Sequence, residues 1–190
     1  MSPFDYAVGL VSIIVGLALA DLATSLHKLL RHRHSVKWDG RVLLSVAFVL
    51  IKITGMWFAV WSIRSVAAVL WFPFYLSMFF EFMVLFLVCA ACLPDEPGES
   101  LDLSAFYASN RRYLWSLFAL FQISYLLHWV YFVGIRVDRA ELLIRGTDAL
   151  APLVLYLLLA SVRSRWFHYA ALICLLLFTF FTFWGQTLAL

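Results

Sequence analysis

Charge is what this sequence has least of. Asp, Glu, Lys and Arg make up 13% of its 190 residues, where a soluble domain carries about 25%. Apolar residues reach 65%, and a water-soluble fold of this size has too little interior to hide them. An ordinary soluble globule is therefore excluded. Cysteine is also scarce, with three residues, too few for a disulfide-stapled scaffold. Eight glycines and five prolines exclude collagenous and low-complexity chains. There is no Lys or Arg before the first apolar run, where Asp5 stands instead, so no cleavable signal peptide is expected.

What the sequence does have is long apolar runs and a mean hydropathy of +0.94. A membrane-spanning helix needs about 20 such residues. Six spans are predicted, near residues 5–30, 41–63, 68–93, 112–134, 147–163 and 166–188. The expected fold class is an all-α integral membrane protein: one domain, residues 1–190, forming a compact bundle of six transmembrane helices. The fifth span is the shortest, with Pro152 expected in its first turns, where proline is best tolerated. Short interfacial helices are expected after Leu101 and within "RVDRAELLIRGTD", the latter capped by Asp138.

The net charge of +3 comes from loops rather than from a nucleic-acid face, and loop charge orients a membrane protein. Lys28, Arg31, Arg33, Lys37 and Arg41 cluster in the first loop, and alternation adds Arg111, Arg112, Arg163 and Arg165 to the same side. Arg64, Arg136, Arg139 and Arg145 fall opposite. Nine against four places the first set at the cytoplasmic face, beside anionic lipid headgroups, with both termini outside. The tryptophans agree: Trp38, Trp115 and Trp166 fall near one interface, and Trp57, Trp61, Trp71, Trp129 and Trp184 in the outer part.

Polar residues inside the spans are the candidates for function. Lys52 is central in the second span and Glu81 in the third. Placing lysine at a helix centre costs about 2.5–3.5 kcal/mol, so the two are expected to face each other as a pair. With Asp21, Gln122 and His128 they outline an intramembrane polar pathway, and Asp5, Arg64, Asp148 and Gln186 form an outer polar cluster. Asp5, Gly9, Ser12, Gly16, Ala20 and Thr24 share one face of the first span, and Ser45, Phe48, Lys52, Gly55, Ala59 and Ser62 one face of the second. Small residues let helices pack closely, so these stripes read either as packing surfaces or as part of the pathway.

Other motifs carry less. "CAAC" at Cys89–Cys92 sits at a helix C-terminus, where the dipole disfavours a thiolate, and Cys174 is expected as a lone buried thiol. The five histidines lie at different depths, unlike facing haem ligands, and no metal site or cofactor is assigned; His27 and His168 form at most a weak regulatory pair. No nucleophile–base, phosphate-loop or paired-carboxylate signature is present, so an enzyme is not expected.

The opening "SPFDYAVGLVSIIVGLALADL", the basic first loop and "LPDE" after the third span resemble small uncharacterised polytopic proteins of the bacterial inner membrane. The resemblance implies that location and no activity. Two functions remain. One is a small transporter or channel-like protein for ions, protons or a small polar solute, with the Lys–Glu pair as gate or coupling site. The other is a non-catalytic subunit that scaffolds or regulates a partner, the pair being a structural lock. A homo-oligomer or a membrane partner protein fits either one.

Overall fold

The computed structural model describes residues 3–61, 71–95, 100–132 and 139–184. Among them, helices Pro3–Arg31 (α1), Gly40–Val60 (α2), Phe72–Cys92 (α3), Leu103–Phe132 (α4), Arg139–Ser161 (α5) and Arg165–Trp184 (α6) are joined by two short strands, Val36–Lys37 (β1) and Leu101–Asp102 (β2). The protein is all-helical apart from this bridge. Five helices, α1, α2, α3, α4 and α6, are long and apolar enough to cross a membrane, and α5 has a shorter apolar stretch, Ala149–Ser161. These helices fit a multi-pass membrane protein.

Two helices are longer than the apolar pattern indicated. The interfacial helix expected after Leu101 is the first part of α4. Asp102 Oδ1 accepts from the backbone N–H groups of Ser104 (2.8 Å) and Ala105 (3.1 Å), which starts α4 at once, and no Gly or Pro interrupts it before the apolar run. A helix persists past the hydrophobic boundary because its backbone bonds remain the best ones available. For the same reason α5 begins at Arg139 rather than 147, so Pro152 lies mid-helix and not in the first turns. Proline's missing N–H and its ring disturb the backbone bonding of the preceding turn. Gln122 of α4 donates from Nε2 to the Ala149 carbonyl at 3.0 Å, in the turn before the proline; side chains of neighbouring helices bond to backbone in this way within apolar bundles.

Helix packing does not follow chain order. α4 lies between α3 and α5, α1 packs on α3, and α2 packs chiefly on α6. The core is aromatic: Phe48, Trp115, Phe118 and Tyr156 are fully buried, with ring centroids 5.1–6.3 Å apart. Trp115 therefore belongs to the core, not to an interfacial belt. Trp166 and Trp184 are exposed near opposite ends of α6, where amphipathic rings suit a membrane interface. At Gly55 a Cβ would collide with the Phe183 ring, so this glycine permits the close approach of α2 and α6.

The two small-residue stripes differ. That of α2 faces inward, with Ser45, Phe48 and Gly55 buried. That of α1 faces outward: Asp5, Gly9, Gly16, Ala20 and Thr24 are exposed, and a Cβ at Gly9 or Gly16 would touch nothing. Ser12 alone of this stripe is half-buried, accepting from Trp57 Nε1 of α2 at 2.9 Å; its other members are not a packing surface within this bundle. α1 packs instead through Ala7, Val11, Ile14, Ala18, Leu22 and Leu29. Cys174, expected to be buried, is exposed on α6, and Cys89 and Cys92 are free buried thiols.

Candidate functional site

Two groups of polar residues are assembled by this packing. The first lies between α3 and α4. Phe74, Ser77 and Glu81 recur at steps of three and four, so α3 presents them on one face. Glu81 is 3% exposed, and its Oε1 is 2.8 Å from His128 Nδ1 on α4. With Glu81 ionised, Oε1 accepts and Nδ1 carries the hydrogen of this bond; with Glu81 protonated, its hydroxyl donates to Nδ1. The Ser77 hydroxyl donates to the Phe74 carbonyl (2.8 Å) and lies 3.3 Å from the same Nδ1. The Phe74 ring meets the imidazole edge-to-face, at 4.6 Å and 81°. An acid and an imidazole are thereby held in contact inside an apolar bundle.

The expected Lys52–Glu81 pair is not formed. Lys52 is half-buried, with Nζ 5.3 Å from the Phe121 ring centroid. The two therefore meet different residues of α4, Lys52 the ring of Phe121 and Glu81 the imidazole of His128 seven positions further on. Equal distance along two sequence spans did not mean contact, because α2 packs chiefly on α6 and α3 on α4 and α1. Gln122 is buried and committed to Ala149, and its Oε1 has no partner among the described residues. Asp21 is half-buried on α1, close enough to Cys89 of α3 to act on it electrostatically. Asp5 is exposed in the first turn of α1. Arg64, Arg136, Asp138 and Gln186 lie outside the described residues, as do the side chains of Arg139, Arg145 and Asp148.

The second group gathers at the end of the bundle where α1, α3 and α5 finish and α2, α4 and α6 begin. β1 and β2 pair in parallel there, Val36 with Leu101 and Lys37 with Asp102. Asp39 caps α2 through Arg41 N (2.8 Å), and the Arg41 side chain returns to the same carboxylate through Nε (3.0 Å) and Nη2 (2.8 Å). The Arg41 guanidinium holds the Asp39 carboxyl below its ordinary pKa, outweighing the opposing effect of partial burial. Ser104 Oγ accepts from both Arg41 and Arg165, each at 2.9 Å. The backbone N–H of Ala105, with that of Ser104 and the charge of Lys37, also lowers the Asp102 pKa.

Beneath this layer runs a directional chain. Trp115 Nε1 donates to the Tyr107 hydroxyl (3.1 Å), which donates to His168 Nδ1 (2.8 Å), while His168 Nε2 donates to the Val162 carbonyl (2.9 Å). The carbonyl at Nε2 fixes the tautomer, leaving Nδ1 to accept from the hydroxyl. Both ring nitrogens of His168 are thus engaged, which removes it from the regulatory pair considered with exposed His27. Arg111 Nη1 donates to the Leu159, Ala160 and Val162 carbonyls, capping the C-terminus of α5 with a cation that also suits its dipole. Lys28 donates to the Asp95 carbonyl (3.0 Å), and Arg31, Arg33, Arg112 and Arg163 are exposed.

The nine predicted inner basic residues are therefore brought to one end. Sequence reasoning missed the partners that organise them: Asp39, Ser104, Tyr107 and the α5 carbonyls. "WDGR" carried a usable signal, an N-cap Asp two residues before Arg. The Tyr107–His168 contact had none, because 61 residues separate its partners. The architecture is all-helical, and its five long apolar helices fit one class, the multi-pass membrane proteins. No protein-family model matches the chain, and neither the curated proteins nor the solved structures compared with it give a match.

Proposed function

We propose that this protein is a small transporter or channel-like protein of the bacterial inner membrane, moving ions, protons or a small polar solute. The Glu81–His128 contact serves as its gate or coupling site, in place of the Lys–Glu pair expected from sequence. The observation that carries the reading is the 2.8 Å contact between a buried carboxylate and an imidazole within apolar helices. Such groups are expensive in lipid and usually serve a pathway. The pair can hold a proton in more than one arrangement, and each arrangement binds α3 to α4 with a different strength. Lys52, beside Phe121, supplies a further cation within the spans. The excess of basic residues at that end supports a cytoplasmic orientation, with both termini outside. The outward small-residue stripe of α1 supports association with a second copy or a membrane partner.

A second reading, a non-catalytic subunit for a partner complex, is favoured by the basic-end network and by the aromatic cluster that fills the bundle centre. Flux measured in proteoliposomes under a pH or ion gradient separates the two. Transport predicts that Glu81→Gln and His128→Asn abolish flux in a protein that remains folded, with Lys52→Met reducing it. Absence of flux in the wild type, together with copurification of a stoichiometric partner, would overturn the transport reading.

A further inference from the structure

A cavity of about 440 Å³ opens at the basic end, lined by Arg41, Ala108, Ser109, Arg111, Arg112, Arg163 and His168. Three helices and the turn between α5 and α6 contribute to it, so it exists only in the folded bundle. Four guanidiniums line it and no carboxylate does. Asp39, the carboxylate that neutralises Arg41, is held through both its oxygens by Nε and Nη2 of that guanidinium. Arg111 is 7% exposed. Its Nη1 is committed to the α5 carbonyls, while no partner among the described residues engages its Nη2 or Nε. Arg112 and Arg163 are exposed, have no ion-pair partner among the described residues, and lie near enough to Arg111 to repel it. With Arg41 neutralised by Asp39, the charges of Arg111, Arg112 and Arg163 are gathered on a rigid frame with no carboxylate partner among the described residues, which favours an anion there.

The shape indicates which anion. Guanidiniums bind phosphate through paired N–H groups, and Ala108 leaves room between them. From the cavity, the face of α4 continues through Ser116, Leu120, Ile123 and Leu127, at helical spacing from Arg112 and all exposed. A polar mouth above an apolar strip is the layout of a phospholipid, with its phosphate in the cavity and an acyl chain along α4. We propose that this cavity is a binding site for a phosphate group, presented by an anionic lipid headgroup or as the free anion. The proposal stands whether or not the protein transports anything.

The test uses the full chain in detergent. Its thermal midpoint is titrated with dihexanoyl phosphatidylglycerol, dihexanoyl phosphatidylcholine and inorganic phosphate, each alone. The same is done for Arg112→Gln/Arg163→Gln and for Arg31→Gln/Arg33→Gln, which removes equal charge from the same end outside the cavity. Circular dichroism checks that both variants are folded. The site predicts a saturable rise with phosphatidylglycerol at a half-saturating concentration about 10-fold below that of phosphatidylcholine, the ratio expected from one or two charge-assisted bonds. Arg112→Gln/Arg163→Gln should lose this preference and Arg31→Gln/Arg33→Gln should keep it. An equal response to inorganic phosphate assigns the site to the free anion; a response to the lipid alone assigns it to the headgroup. Equal responses to both lipids with none to phosphate, or equal loss in both variants, would overturn the proposal.

Discussion

The basic end and the α3–α4 interior treat charge in opposite ways. At the basic end, charges are many and cross-linked: Asp39 is held bidentately by Arg41, Ser104 bridges two arginines, and Arg111 closes the end of α5. In the interior they are few, with Glu81 and His128 meeting in a setting of rings. Dense, mutually satisfied networks fix a conformation, whereas a buried acid–imidazole pair is costly to keep and sensitive to one proton. On the proposed function, the first region holds position and the second changes.

The largest effect should come from breaking the basic end. Asp39→Ala leaves buried Arg41 without its carboxylate and α2 without its cap, and should cost about 3–5 kcal/mol of stability, measured by denaturant unfolding in micelles. The same region should weaken in acid. The Asp39 and Asp102 carboxyls titrate below their ordinary values, so their stabilisation is present above the ordinary carboxylate range and is lost as pH falls through the lowered values. A thermal midpoint that is flat from neutral pH down to strongly acid pH would contradict this.

Gly55→Ala tests the packing that separates the two regions. The added methyl meets the Phe183 ring, and overpacking of this kind should cost about 1–3 kcal/mol. Phe183→Leu in the same chain should recover part of the loss, read as a rise in thermal midpoint over the single variant. Tyr107→Phe removes the link between Trp115 and His168 and should cost about 1–2 kcal/mol.

In the interior, a double-mutant cycle on Glu81→Gln and His128→Asn should give a coupling near 1 kcal/mol, in the range of hydrogen bonds within membrane bundles. Coupling well above that would move the pair toward the structural role of the basic end and dissolve the contrast. The smallest effect belongs to Lys37→Ala. Its partner Asp102 is 3.5 Å away and both side chains are open to solvent, so the change should fall within measurement error.

Much of the fold was legible because lipid imposes one rule, that long apolar runs become helices. Five of the six expected spans reappear as helices long enough to cross a membrane. Helix ends were less legible. Hydropathy marks where lipid stops, while Asp102 and the absence of breakers decide where α4 starts. Of the polar pathway, Glu81 and His128 are brought together. Lys52 is not joined to Glu81, since the sequence gives each residue a height along its own helix but not the neighbour that helix chooses.

The sequence by itself determined the helical class, the gathering of nine basic residues at one end and the scarcity of polar groups inside. Each of these follows from composition and period along a single chain. Only the tertiary structure decided that α2 packs on α6, that Glu81 meets His128, that Arg111 caps α5, and that four arginines surround one cavity. Those contacts join residues many turns apart, and they depend on which side chains fit, such as a glycine opposite Phe183, rather than on any local pattern.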